Sequence, residues 1–133
     1  MLIPWYKISG IDIDFTDVAI KAAGVFTEVF SNRPVNHTCW NYSMNRDDVD
    51  LSKNILDYYL PVEFVDTRKG DLVLFLKDGK IKHSALIFKK ASTVEDTIIR
   101  AKFSNLPIYQ HLLKHTPRFY GEEISFFRKE KDV

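Results

Sequence analysis

The sequence predicts an α+β fold in which N-terminal helices pack on an antiparallel sheet. Apolar residues recur at three- and four-residue spacing early in the chain, and short apolar runs between turn residues fill the later part. Helices followed by strands are typical of a sheet covered on one face by helices. The 133 residues, 45% of them hydrophobic, suffice for one core. We therefore expect one domain, 1–133, with a helical part (1–60) and a sheet part (61–133).

The first predicted helix is the stretch DFTDVAIKAAGVFTEVF, capped by Asp12 or Asp14. It should end within SNRP, because the residue before Pro34 is disfavoured in helical conformation. One face of this helix would bury the apolar side chains Phe15, Val18, Ala19, Ala22, Val25, Phe26, Val29 and Phe30.

A second helix is predicted in DDVDLSKNILDYYLP, with Asp48 or Asp50 as its cap and Pro61 as its end. Its apolar positions are Leu51, Ile55, Leu56 and Tyr59.

Strands are predicted from VEFVD onward. GDLVLFLKDGKIKHSALIF is typical of a hairpin, because two apolar runs flank the turn dipeptide Asp78-Gly79. TIIRAKF and ISFFR are expected to be strands, and YQHLLKH a short helix or turn. The longer stretch SNLPIYQHLLKHTPRFYG would either form one wall of a substrate cleft or pack over the open end of the sheet.

Composition narrows the function classes. A net charge of +1 gives no support for nucleic-acid binding, and no run of about 20 apolar residues predicts a membrane span. The opening residues lack the features of a signal peptide, so we expect a cytoplasmic protein or one exported without a cleaved signal. One cysteine permits no internal disulfide, and with four scattered histidines it offers no metal-ligand spacing. We expect no metal and no cofactor.

The single cysteine, Cys39, lies in the stretch NHTCWN. Thr38 can cap a short helix that begins at Cys39, where exposed amides and the helix dipole favour the thiolate. The same amides, with the Asn36 side chain, could hold an oxyanion. The alternative is that Cys39 is a small buried hydrophobe beside Trp40.

A cysteine nucleophile needs a base, and His83 is the candidate. Strand alternation puts it on one face with Ile81, Ala85 and Ile87, which we expect the helices to cover. The alternative is a core histidine without a catalytic role.

Together the pieces TCWNY, KGDLVLF and HSALIF, spanning about Asn36 to Phe103, resemble the papain-like cysteine hydrolases in their compact bacterial form, the NlpC-like and CHAP-type amidases and peptidases. The resemblance implies a papain-like core with Cys39 as nucleophile and His83 as base. It also implies a peptide-like or acyl substrate, such as peptidoglycan peptide.

Two features depart from that family's pattern. Thr38 stands where an Asp or Asn usually precedes the cysteine. The third position, which orients the imidazole, falls in RAKFSN, where Asn105 or Ser104 suits an imidazole N–H better than Lys102 does. Of the other histidines, His37 could support the thiol from nearby, and His115 is expected at the surface.

Two hypotheses therefore stand. The first is a small cysteine hydrolase or acyltransferase acting on an amide or ester through Cys39 and His83. The second is a catalytically silent binding or immunity-type partner protein of similar fold, motivated by the missing orienting residue and the many aromatic residues.

Overall fold

A computed structural model describes residues 3–13, 16–29, 58–103 and 106–129. These residues form eight strands and one α-helix that lies wholly within the described part of the chain. The elements in chain order are β1 (Tyr6–Lys7), α1 (Asp17–Ala23), β2 (Thr27–Val29), β3 (Tyr59–Val62), β4 (Leu72–Lys77), β5 (Lys80–Lys89), β6 (Ile98–Lys102), β7 (Ile108–Leu112) and β8 (Glu123–Lys129).

All eight strands belong to one antiparallel sheet in the order β1-β8-β4-β5-β6-β7-β2. Strand β3 pairs with the C-terminal half of β8, and β1 pairs with the N-terminal end of β8. Strands β1 and β3 therefore share one edge of β8. The consecutive strands β4 to β7 form a meander, and β8 returns to the far side of β4. The sheet is therefore completed at both ends by strands from outside the meander.

The predicted α+β class, with N-terminal helices packed on the sheet in a papain-like core, is wrong for this structure. The first predicted helix is reduced to the seven residues of α1, whose cap is the Thr16 hydroxyl rather than Asp12 or Asp14. Gly24 ends the helix with φ 72, and the following residues form β2 against β7. A glycine in the left-handed conformation stops a helix, and sheet pairing then outweighs helical spacing.

The second predicted helix lies mostly outside the described residues. Its last position, Tyr59, begins strand β3, and Pro61 sits inside that strand instead of ending a helix. VEFVD was predicted as a strand, but Phe64–Asp66 forms a 3-10 turn. Strands therefore also occur in the 1–60 part of the chain, whereas the expectation of a single domain stays a prediction.

The meander follows the sequence prediction more closely. Asp78 and Gly79 have φ of 52 and 77, as a tight primed hairpin turn requires, and they join β4 to β5. TIIRAKF and ISFFR form β6 and β8 as predicted. YQHLLKH is the exception, because it supplies the end of β7 and then a 3-10 turn, Leu113–His115.

Strand β4 is buried on both faces. Val73 and Phe75 join the larger apolar cluster on one face, which we call the first face. Leu72, Leu74 and Leu76 join a smaller cluster on the second face. An unbroken apolar run is typical of a strand covered from both sides.

Segments outside the meander cover the first face. Ile20 of α1 is buried in its apolar cluster, as are Leu113 and Tyr120. The segment from Leu113 to Gly121 is held to the N-terminal chain, since Ile11 donates to the Thr116 carbonyl and accepts from the Arg118 amide. The first face is therefore a closed core, and this part of SNLPIYQHLLKHTPRFYG packs over the sheet.

The described part of the chain contains no helix with the length and apolarity needed to cross a membrane.

Gly121 provides a test of this closure. Its φ is 107, and a Cβ there would overlap the carbonyl oxygen of Leu76 in β4. We expect Gly121→Ala to lower the free energy of unfolding by more than about 3 kcal/mol, because the backbone must shift. The control is Gly70→Ala, whose φ of 94° also disfavours a side chain but whose Cβ would meet nothing within 4 Å. Urea denaturation of both variants checks this, and equal losses would contradict the close approach.

Candidate functional site

The predicted nucleophile and most of its predicted helpers lie outside the described residues. These are Cys39, Asn36, Ser104 and Asn105, together with Thr38 and His37. Among the predicted catalytic and orienting residues, the structure describes His83 and Lys102.

His83 is fully buried in the first face of the sheet. Its imidazole stacks on Tyr120 with ring centroids 4.0 Å apart and an interplanar angle of 14°. Phe103 lies 5.3 Å away in a nearly parallel plane, and Phe75 packs against the ring at 5.2 Å. Neither ring nitrogen has a hydrogen-bond partner in the described part of the chain. The imidazole is therefore enclosed by aromatic rings.

A β-bulge sets the direction of His83. In the β4–β5 ladder Phe75 pairs with His83, whereas Leu76 pairs with Ile81, which leaves Lys82 unpaired. The extra residue returns Ile81 to the second face, where it packs with the smaller apolar cluster. The prediction that Ile81 shares a face with His83 is therefore wrong, while Ala85 and Ile87 do lie on the first face.

A second buried histidine adjoins this cluster. His111 on β7 stacks with Phe103 at 5.6 Å and meets the Phe26 ring edge-on at 4.8 Å. Its Nδ1 lies 2.7 Å from the Leu112 carbonyl oxygen, to which it donates, and its Nε2 has no partner in the described residues. The sequence places His111 in the stretch YQHLLKH but gives no sign that it adjoins His83, since only the folded ladder brings β5 and β7 to one core.

Burial dominates the protonation of both rings. It holds the pKa of His83 well below its usual value, and the nearby His111 lowers it further. Burial also lowers the pKa of His111 to about 4, against the opposing effect of the Leu112 carbonyl. His115, predicted at the surface, is half-buried, and burial again lowers its pKa. Near neutral pH the two core imidazoles are therefore uncharged.

Lys102 cannot orient His83. Residues alternate along β6, so Ala101 faces the first core while Lys102, paired with Ile108, lies on the second face. Its ammonium donates to the carbonyl of Leu106 at 3.1 Å, and the residue is buried. A cation on the other side of the sheet offers no acceptor to the imidazole.

The motif KGDLVLF has a structural explanation. Asp71 is buried and accepts two hydrogen bonds from Arg128 on β8, at 2.9 Å from Nε and 2.7 Å from Nη2. The Arg68 amide donates to the same carboxylate, and Arg128 also donates to the Asp66 carbonyl. This bidentate pair joins the start of β4 to the end of β8.

Other site types find little support in the described residues. No three His, Cys, Asp or Glu side chains among them are arranged to hold a metal ion. An open pocket of about 390 Å³ is lined by Ile11, Asp12, Ile13 and Phe119. None of these four belongs to the predicted site.

Comparison with protein-family models, with curated proteins and with solved structures finds no match. Function must therefore be inferred from the geometry of the chain.

The buried histidines predict loss of stability in mild acid. In the unfolded chain the pKa of a histidine is near 6.5. As the pH falls below that value, the unfolded chain binds protons at these histidines whereas the folded chain does not, so the unfolded chain is favoured. For His111, with a folded pKa of about 4, the full loss by that pH is about 3 kcal/mol. His83 adds a loss in the same direction.

Urea denaturation between about pH 7.5 and 5.5 separates this effect from carboxylate titration. His83→Phe keeps a ring against Tyr120. We expect this variant to reduce the slope of the unfolding free energy against pH by an amount that corresponds to at most one bound proton. His115→Gln, at a less buried ring, is the control and should change the slope less. An unchanged slope in His83→Phe would contradict the assignment.

The Asp71–Arg128 pair predicts strong coupling. Arg128→Met leaves a buried carboxylate without its partner, and we expect it to cost about 3–5 kcal/mol of unfolding free energy. The double variant Asp71→Asn with Arg128→Met should cost clearly less than the sum of the single variants. Additive costs in this double-mutant cycle would mean that the pair contributes no interaction energy.

Proposed function

We propose that this chain is a catalytically silent binding protein whose role is to contact another protein. The observation that carries the proposal is the enclosure of His83, which is fully buried with both ring nitrogens unpartnered in the described residues. A general base must come within about 2.6–3.2 Å of the proton it removes. The rings of Tyr120 and Phe103 cover the imidazole instead.

The protonation of His83 supports the same proposal. A general base works best when its pKa lies near the working pH, because it must both accept and return a proton. Burial holds the pKa of His83 well below the usual value. Such an imidazole is neutral but a poor proton acceptor, as expected of a ring kept for packing.

The hydrolase hypothesis remains the second candidate, and it rests on the resemblance of TCWNY, KGDLVLF and HSALIF to the papain-like hydrolases. Cys39 would attack a peptide-like or acyl substrate, with His83 as base. For this to occur the aromatic cluster around His83 must open, at the cost of the stacking and burial of Tyr120 and Phe103.

The reactivity of Cys39 tests the proposal. Since Cys39 is the only cysteine, iodoacetamide alkylation reports on it alone, and Cys39→Ser gives the background rate. We expect a rate that rises with an apparent pKa near 8.5, as for a free thiol, or a thiol protected from the reagent. His83→Phe should leave this profile unchanged.

Rapid alkylation well below pH 8, lost in His83→Phe, would establish a thiolate–imidazole pair and overturn the proposal. His83→Phe preserves a ring in the core, so a change in rate would not simply report unfolding. Thermal melts of the variant check that its fold is intact.

A further inference from the structure

The second face of the sheet carries a partly exposed strip across β5, β6 and β7. Its members combine apolar, cationic and amide side chains, and we call it the Arg100 strip: Lys69, Phe88, Ile98, Arg100, Gln110 and Leu112. Lys69 is exposed and the other five are half-buried. The register brings them together, since Arg100 pairs with Gln110 and Ile98 pairs with Leu112.

Arg100 is held in place at the centre of this strip. Its guanidinium carbon lies 3.8 Å from the centroid of the Phe88 ring, and its Nε donates to the Gln110 side-chain oxygen at 3.0 Å. Within the described residues the terminal guanidinium nitrogens make no hydrogen bond. The contact with the Phe88 ring and the Nε bond hold the group in place, so its remaining N–H donors form a prepared fork for a carboxylate.

A second cation reinforces the site. The Lys69 ammonium lies 4.8 Å from the centroid of the same Phe88 ring. The distance between the two cations is therefore at most the sum of their distances to the ring centroid. This sum is comparable with the Debye length, which is about 8 Å at physiological salt. No carboxylate of the described residues forms an ion pair with either. A carboxylate held by the Arg100 guanidinium would therefore also be attracted by the Lys69 ammonium.

We propose that the Arg100 strip binds an acidic segment of a partner protein, with a carboxylate on the Arg100 guanidinium and apolar side chains against Phe88, Ile98 and Leu112. This assignment rests on the proposed binding function and names the chemistry of the partner. A half-buried Arg beside an aromatic ring is typical of the residues that dominate protein interfaces. Nucleic acid fits less well, because two cations among apolar side chains and a net charge of +1 do not form an extended basic track.

Fluorescence anisotropy on the full chain tests the assignment at about 0.15 M salt. The probe is a labelled peptide of twelve residues in which every second residue is Glu and the residues between are Val or Ser. The comparison probes are the same peptide with Lys for Glu, and a labelled deoxythymidine dodecamer. We expect the acidic peptide to bind more tightly than both, and Arg100→Ala to weaken its binding by about tenfold or more.

Matched variants make the result specific. Arg100→Lys should also weaken binding, because a point charge does not replace the planar fork. Lys69→Ala, at an exposed position, should weaken it without disturbing the fold. Lys80→Ala, at the exposed hairpin end of β5, should leave binding unchanged.

The outcomes separate the two proposals. Equal or tighter binding of the deoxythymidine dodecamer, no binding of the acidic peptide, or binding that Arg100→Ala leaves unchanged would overturn the Arg100 strip. If Cys39 still reacts as an ordinary thiol, the binding function stands without this surface. A His83-dependent reactive Cys39 would instead overturn the binding function itself.

Discussion

Burial of β4 on both faces is the constraint on which the rest of the described structure depends. Five successive apolar residues, Leu72 to Leu76, are almost completely shielded from water. A strand in this position needs a neighbouring strand on each edge to pair its backbone N–H and C=O groups. It also needs a cover on each face to keep its apolar side chains out of water. The antiparallel neighbours β5 and β8 meet the first requirement.

The two ends of β4 are fixed by different interactions. At its start, the buried Asp71 carboxylate is neutralised by the bidentate Arg128 of β8. At its end, Gly121 lets the backbone pass so close to the Leu76 carbonyl that no side chain fits between them. That close approach brings Tyr120 onto His83. The ring stack therefore depends on this glycine as well as on the aromatic residues.

The sequence predicts local turns and strands of this fold well, and the extent of its first helix poorly. Asp78-Gly79 predicts the hairpin because few other dipeptides accept two positive φ angles. By contrast, the apolar spacing that predicts a helix through Phe30 is interrupted by Gly24. Phe26 beyond that glycine packs on Phe103, Tyr109 and His111. These partners lie about 80 residues away in the chain, and helical periodicity carries no information about them.

The candidate site was predictable only in part for a related reason. Alternation along β5 correctly puts His83 on a covered face, but the bulge at Lys82 is invisible to a period-two pattern, so Ile81 was misassigned. The same alternation, applied to β6, separates Lys102 from His83. The aromatic enclosure of His83 could not be inferred, because Tyr120 reaches it through the segment that crosses the first face.

The two faces of the sheet differ in a way that bears on function. On the first face, the imidazole nitrogens of His83 have no hydrogen-bond partner among the described residues and lie buried among aromatic rings, where an unsatisfied nitrogen costs about 1–3 kcal/mol. On the second face, Arg100 keeps its charge partly exposed, oriented by Phe88 and Gln110, and without a carboxylate among the described residues. A fully buried histidine can serve packing, whereas an arginine that is held in place and has no carboxylate partner among the described residues can bind one. This difference between the two faces is the reason why we propose recognition at the surface of the sheet rather than chemistry in its core.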